Sequence, residues 1–201
     1  MSEADVIDTL VGLAPDSPLA LIRDLKPVTR QQAQASHRAL FEPADARDVT
    51  MQERFAIATF VAGLHARNEI TAFYAAGLSR TAPPASFVTA LTAEISRGQT
   101  NGPYGAYPKG RLTAEDVPGP TYHVSEPHRA VLGSRMTAAL AHVHMLVFHP
   151  RDANAAALQM LLDAGWSNAG IVTLSQLVAF LAFQIRAAVG LRVLAPAGVA
   201  A

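Results

Sequence analysis

The chain has 201 residues, and its 16 lysines and arginines balance 16 aspartates and glutamates, so the formal net charge is zero. A balanced charge without a basic patch or an acidic tail argues against a nucleic-acid-binding protein. The sequence contains no cysteine, which excludes disulfides, thiolate nucleophiles, zinc–thiolate sites and CxxC redox chemistry.

The share of charged residues is low. Half of the residues are hydrophobic and 16% are charged, whereas about a quarter is usual in globular proteins. So few charges leave much apolar surface on a small monomer, and we therefore predict a homo-oligomer, a dimer or larger. The N-terminal segment MSEADVIDTL carries acidic residues and no basic stretch ahead of an apolar run, which predicts a cytoplasmic protein.

The first part of the chain has the pattern of short helices separated by prolines. Apolar residues at helical spacing predict a helix over 3–13. A second helix is predicted to begin at Ser17 and to end at Pro27. A third is predicted to be capped by Thr29 and to end near Phe41.

A capping box marks the next helix. Thr50 and Glu53 have the spacing at which each side chain bonds the other residue's backbone N–H. Apolar residues then recur every three or four positions as far as Leu64, and the polar run 65–69 indicates a corner. The last helices predicted in this part cover 70–78 and 87–95.

Residues 98–122 differ from the rest of the chain. They include five glycines and four prolines, and only 113–116 have the pattern of a helical turn. A loop of this length is uncommon in a compact domain and is often either functional or a linker. We therefore predict one all-α domain over 1–201, with a helical half at 5–97, this loop, and a second helical half at 123–194.

The next helix, from Ser125 to Phe148, contains histidines that suggest a metal site. On a helix His142 and His144 point about 200° apart, so they do not converge on one ion. His142 and His149 share a face opposite the apolar stripe, which predicts that both face solvent or a subunit partner. His144 flanks that stripe and is predicted to be a hydrogen-bonded core residue. We predict no metal site.

Residues 149–194 are predicted to form two helices joined at a Gly-Trp-Ser corner. Asp152 or Asn154 caps the first helix, and Gly165 has the place of a left-handed residue at its end. Ser167 offers the cap of the second helix.

That second helix is apolar and over twenty residues long, which is enough to consider a membrane span. Gln176, Gln184, Arg186 and Arg192 argue against one, because a charge at the centre of a bilayer costs about 2.5–3.5 kcal/mol. We therefore predict the central helix of a soluble bundle, with no membrane contact.

Two polar residues of this helix have alternative interpretations. Gln184 lies among leucines, which favours a hydrogen bond to a neighbouring helix; the alternative is a polar contact in a buried pocket. Arg186 lies on the opposite, small-residue face and could pair with a buried carboxylate, for which Glu53 is one candidate.

Two segments carry a family resemblance. The first is FHPRDANAAALQMLLDAGWSNAGIVTLSQLVAFLAFQIRAAVGL, with its G-W-S-x-x-x-I-V turn and its ending F-Q-x-R-x-x-x-G-L. The second is ALFEPADARDVTMQERFAIATFVAGLHARNEITAFYAAGL. Together they resemble carboxymuconolactone decarboxylase-like proteins, the superfamily that includes AhpD-type alkylhydroperoxidases. The resemblance covers about residues 5–194 and implies an AhpD-like helical bundle.

The resemblance also implies where a family site would lie. Active members use a glutamate, a CxxC pair and a histidine; Glu53 matches the glutamate, His65 and Asn68 stand at the cysteines, and Ala72 stands at the histidine. Thiol-dependent peroxide reduction is therefore chemically unavailable to this motif. Glu53 is either a proton relay or only a helix cap. His65 is either a general base or an exposed corner histidine.

Two functions follow from this sequence. The first is a non-thiol assembly subunit, or a partner of a peroxidase-like relative. The alternative is a peroxidase-related or decarboxylase-type enzyme, or a small-ligand binder, with a buried polar pocket. No cofactor is predicted for either. The candidate site residues are Glu53 and His65 as catalytic groups, and Tyr74, Gln176, Gln184 and Arg186 as pocket residues.

Overall fold

A computed structural model describes residues 5–194, and within that range the protein is all-α. The described residues form no strand, and Gly105 and Val117 make an isolated bridge. The helices are α1 (Val6–Val11), α2 (Pro18–Asp24), α3 (Pro27–Phe41), α4 (Met51–Leu64), α5 (Asn68–Ser79), α6 (Ala85–Gly98), α7 (Glu126–Phe148), α8 (Ala155–Asp163) and α9 (Asn168–Leu194), with 3-10 turns at Arg111–Glu115 and Pro150–Asp152.

The predicted helix caps are confirmed at several positions. Thr50 and Glu53 form the capping box at the start of α4. Asn154 caps α8, because its side chain accepts a hydrogen bond from the Ala157 N–H. Gly165 has a φ of 91°, in the left-handed region that ends a helix. Ser167 accepts from the Gly170 N–H at 3.0 Å and begins α9.

The predicted start of α3 at Thr29 is wrong. The helix begins at Pro27, which lies in its first turn, where a residue without an N–H leaves no hydrogen bond unmade. The preceding helix, predicted to end at Pro27, ends earlier, at Asp24.

Helices α4 and α9, both rich in apolar residues, form the centre of the molecule. Ten of the fourteen residues of α4 are buried, and α4 packs against α5, α6, α7 and α9. The long C-terminal helix α9 packs against α1, α3, α4, α7 and α8.

By length and composition alone both α7 and α9 could cross a membrane. Of the most apolar 18-residue window of each helix, 44% in α7 and 39% in α9 is buried inside the protein. α9 is a core helix of this bundle.

The glycine- and proline-rich loop between α6 and α7 is tied to the end of α7 and to the turn after it. The Tyr104 N–H donates to the Phe148 carbonyl at 2.8 Å, and the Ala106 N–H donates to Asp152 at 3.1 Å. Near its end the loop carries Tyr122, which packs against Phe60 of α4. The loop thereby forms one side of the groove described below.

The long helix α7 is interrupted at Gly133. Ser125 begins it and Phe148 ends it, as predicted, but Gly133 has φ 77° and ψ 164°, which is not helical. This backbone region is almost restricted to glycine. The prediction of a continuous helix is therefore wrong at this residue, and α7 is two helical segments joined at Gly133.

A groove lined by histidines along α7

A groove of about 680 Å³ runs along α7. Small side chains of that helix form its floor, and Tyr122 and Val124 of the preceding loop and Ala157 and Met160 of α8 also line it. The small residues on α7 are Ala130, Ser134, Thr137, Ala138 and Ala141. Because these side chains are short, the helix leaves open volume between its backbone and the neighbouring elements.

Besides the exposed His123, three histidines that are buried or half-buried line the groove: His142, His144 and His149. His142 and His149 line it together, which agrees with the predicted shared face. The prediction that His142 faces solvent or a subunit partner is wrong, because this side chain is buried within its own chain, with an exposed fraction of 6%. One ring nitrogen of each histidine is buried and has no hydrogen-bond partner among the described residues: Nδ1 of His142, Nδ1 of His144 and Nε2 of His149.

His144 is held from two sides. Its Nε2 donates to the Gly98 carbonyl at 3.0 Å, and its ring stacks on Tyr122 with the centroids 4.7 Å apart. The side chain is buried, which confirms the prediction of a hydrogen-bonded core histidine. His149 is fixed in a similar way, because its Nδ1 lies 3.0 Å from a carboxylate oxygen of Asp152.

Burial keeps two of these imidazoles neutral. Desolvation lowers the pKa of His144 to about 4, and the carbonyl of Gly98 offsets part of that effect. Desolvation also lowers the pKa of His142. At neutral pH these rings therefore act as uncharged hydrogen-bonding groups in a groove whose lining is mostly apolar and also includes Ser134, Thr137 and the exposed Arg129.

A buried carboxylate stands behind the groove. Glu94 of α6 is fully buried and accepts hydrogen bonds from the Tyr122 hydroxyl at 2.6 Å, from the Ser125 N–H and hydroxyl, and from His128. These donors lower the pKa of Glu94 to about 2 in spite of its burial. Glu94 thus joins α6 to the N-terminus of α7 and fixes Tyr122, which stacks on His144.

This cluster resembles a serine–histidine–acid arrangement in composition but not in geometry. The Nδ1 of His128 makes both contacts, at 2.6 Å to Glu94 and 2.8 Å to the Ser125 hydroxyl. A catalytic relay needs the acid on one ring nitrogen and the nucleophile on the other. The Ser125 hydroxyl also donates to Glu94 at 2.7 Å. The cluster therefore stabilises a helix junction.

The residues predicted from the sequence lie elsewhere. Glu53 accepts the Thr50 N–H at 2.8 Å and pairs with Arg135 of α7 at 2.5 Å. The suggested Glu53–Arg186 pair is wrong: Arg186 lies exposed on α9, and its guanidinium donates to the Ala182 carbonyl of its own helix. The partner of Glu53 is instead Arg135, whose guanidinium also donates to the Gly165 carbonyl at 2.6 Å.

His65 is the residue after the end of α4, and its Nε2 is buried without a partner among the described residues. Burial, with Arg186 and Arg67 nearby, lowers its pKa to about 4. His65 is thus a partly buried neutral imidazole, and it does not contact the groove along α7.

Tyr74 and Gln184 meet in the core. The Tyr74 hydroxyl of α5 donates to the Gln184 side-chain oxygen of α9, and both residues are fully buried. This confirms the predicted bond from Gln184 to a neighbouring helix. Burial raises the pKa of Tyr74 well above its usual range, so its hydroxyl stays protonated. Gln176 is exposed and lines a separate depression with Arg54 and Phe180.

The predicted pocket residues are thus divided between the core, which contains Tyr74 and Gln184, and exposed positions of α9, which hold Gln176 and Arg186. Sequence reasoning missed Glu94, Tyr122 and the groove itself. One signal was present for Glu94, which stands at helical spacing from the apolar residues Phe87, Ala90 and Leu91. A carboxylate on an apolar face indicates a buried charge with several donors.

Neither family models nor curated proteins nor solved structures give a match to this chain. Within residues 5–194 no group of three or more histidine, aspartate or glutamate side chains is arranged to hold a metal ion. The interpretation of the groove therefore rests on its own geometry.

Proposed function

We propose that this protein binds a small, largely apolar molecule in the groove along α7. The observation that carries the proposal is the combination of open volume with buried, unpartnered ring nitrogens on His142, His144 and His149. A volume of about 680 Å³ is within the range of small-molecule sites, which are mostly apolar with a few placed polar groups.

The energetics favour an occupant. A buried polar atom without a partner costs about 1–3 kcal/mol, and a ligand that bonds to it recovers part of that cost. Apolar ligand surface removed from water adds about 25 cal/mol per Å². Neutral imidazoles suit an uncharged ligand, because an isolated charge in an apolar groove would be poorly solvated.

We further propose that the protein is a cysteine-free relative of the carboxymuconolactone decarboxylase-like superfamily whose ligand site lies away from the family motif. Glu53, His65 and Ala72, which match that motif by resemblance, do not line the groove. Glu53 is engaged by Thr50 and Arg135, which accounts for it without a catalytic role.

The test is titration with 2-methoxynaphthalene, a rigid apolar probe, followed by calorimetry. Ala141→Phe fills the groove, and we expect it to weaken binding at least tenfold. Ala72→Phe, on an exposed turn of α5, is the matched control and should leave the affinity unchanged. Ala138→Phe is a second filling variant if Ala141→Phe does not fold. Equal binding by wild type and a folded filling variant, or no binding by wild type, would contradict the proposal.

A second function, self-association as an assembly subunit, is favoured by a different observation. Large apolar side chains are exposed on α2, α3 and α9, among them Leu21, Val28, Val172 and Phe183. Exposed apolar surface of this kind is typical of subunit interfaces. Sedimentation at micromolar concentration tests it: we expect a dimer or larger species, and a monomer would contradict it. A peroxidase-like relative as partner remains part of this second proposal.

A further inference from the structure

We infer that the ligand of the groove carries a hydroxyl group whose hydrogen is donated to His144 or His149. The inference rests on the proposed function and specifies the class of molecule that would bind: an apolar alcohol or phenol. The hydrogen bonds that fix each histidine decide which of its ring nitrogens carries the proton.

The first fixed ring is His144. A neutral imidazole has one N–H donor and one bare nitrogen that accepts. The Gly98 carbonyl is an acceptor only, so the Nε2 that lies 3.0 Å from it carries the hydrogen. The other nitrogen, Nδ1, is therefore an acceptor, and it is buried without a partner among the described residues.

The second fixed ring is His149, in the opposite tautomer. An Asp152 carboxylate oxygen lies 3.0 Å from Nδ1, so Nδ1 carries the hydrogen that this carboxylate accepts. In the neutral ring Nε2 is then the bare nitrogen, and it too is buried and unpartnered. The two ring centroids are 6.2 Å apart, so both acceptors belong to one region of the groove.

Two acceptors in an apolar groove select for a donor. A hydroxyl supplies an O–H to one nitrogen and needs no charge. An ether of the same size fills the same volume but has no hydrogen to donate. A carboxylate would place its own acceptor oxygens against the bare nitrogens, which is unfavourable. Arg129 also lines the groove, but it is exposed, and an exposed ion pair contributes only about 0–1 kcal/mol.

Three probes of similar size test this: 2-naphthol, 2-methoxynaphthalene and 2-naphthoate, each titrated into the full-length protein by calorimetry. We expect 2-naphthol to bind about five- to tenfold more tightly than the methyl ether, the usual effect of one hydrogen bond. We expect 2-naphthoate to bind most weakly. Equal affinity for naphthol and ether, or tightest binding of naphthoate, would overturn the inference while leaving the apolar groove in place. Failure of all three probes would instead contradict the proposed function.

Substitutions of His144 and His149 identify which ring nitrogen accepts the hydrogen of the ligand hydroxyl. His144→Phe and His149→Phe each remove an acceptor and keep a ring, so at least one of them should reduce the naphthol preference to about twofold or less. In His149→Gln the side-chain oxygen replaces Nε2, and in His144→Asn it replaces Nδ1, so these variants should retain more of the preference than their Phe counterparts. His37→Phe, on α3, is the control and should keep the full preference. A preference that survives both Phe substitutions in folded protein would overturn the assignment.

Discussion

Two regions of this molecule bury polar groups in different ways. Between α5 and α9, Tyr74 and Gln184 are fully buried and bonded to each other in close-packed surroundings. Along α7, His142 and His144 are nearly as well buried, yet they line open volume. Both regions contain unpartnered atoms, since the Gln184 Nε2 has no partner among the described residues either.

The difference is in what an unpartnered atom can do. In the core region both side chains are fully buried, so the unpartnered Gln184 amide costs stability, while its bond to Tyr74 fixes how the two helices meet. In the groove an incoming molecule can supply the missing hydrogen bond. The groove is therefore the better candidate site, although the family resemblance directs attention to Glu53 and His65 in the other part of the chain.

The largest effect is expected from Glu94, which supports one side of the groove. In Glu94→Ala the Tyr122 hydroxyl, the Ser125 donors and His128 lose their common acceptor, and we expect the free energy of unfolding to fall by about 3 kcal/mol. Urea denaturation measures this. Glu115→Ala, at an exposed position in the loop, is the control and should change stability little.

The pH dependence of stability tests whether burial keeps His144 uncharged in the native protein. The pKa of His144 is lowered to about 4, whereas an unfolded histidine titrates near 6.5, so the unfolded state binds more protons between those values. Stability should therefore fall as the pH is lowered from about 6.5 to 4 and should lose no more from this residue below 4. His144→Phe should remove roughly 2 kcal/mol of that loss, measured by urea denaturation at pH 7 and pH 4.

His65 provides the comparison for this experiment, because burial and nearby arginines lower its pKa to about 4 as well. His65→Phe should also flatten the pH dependence but should leave the binding of naphthol unchanged. If only His65→Phe flattens the curve, the pKa of His144 is not lowered in the native protein, and burial does not keep its ring neutral below about pH 6.5.

The core region is tested by Tyr74→Phe. Loss of the hydroxyl leaves the whole Gln184 amide without a partner, and we expect the free energy of unfolding to fall by about 1–2 kcal/mol. Replacing both partners, in Tyr74→Phe with Gln184→Leu, should recover part of the loss because no buried polar group then remains. A double variant less stable than Tyr74→Phe alone would mean that the amide has contacts beyond this pair.

The smallest effect is expected at the residue that the family resemblance marks as a general base. His65→Ala should leave the affinity for 2-naphthol within twofold of wild type, since His65 does not line the groove. Calorimetry on the same preparation compares it with His144→Phe. A large loss of binding in His65→Ala alone would move the site to the end of α4.

Much of the fold could be predicted because its signals are local. The Thr50 capping box, the Asn154 cap and the left-handed Gly165 each depend on residues within a few positions. The hydrogen bond from Gln184 could also be expected, because a buried amide needs a partner wherever the partner comes from.

The groove could not be predicted in this way. Its lining joins a loop, α7 and α8, and the Glu94 cluster joins residues about thirty positions apart. The sequence predicts that His142 faces solvent or a subunit partner, because it lies opposite the apolar stripe of α7. In the structure this face lines a groove, and single-helix periodicity does not distinguish a groove from a solvated surface.

The break at Gly133 has a consequence for the chemistry of the groove. Thr59, Thr92 and Thr173 each donate their hydroxyl to the carbonyl four residues earlier in a regular helix. For Thr137 that carbonyl belongs to Gly133, whose backbone is not helical, and the Thr137 hydroxyl is buried without a partner among the described residues. An irregular backbone residue has thus freed a hydroxyl on the groove floor, where it can donate to an oxygen of a bound molecule.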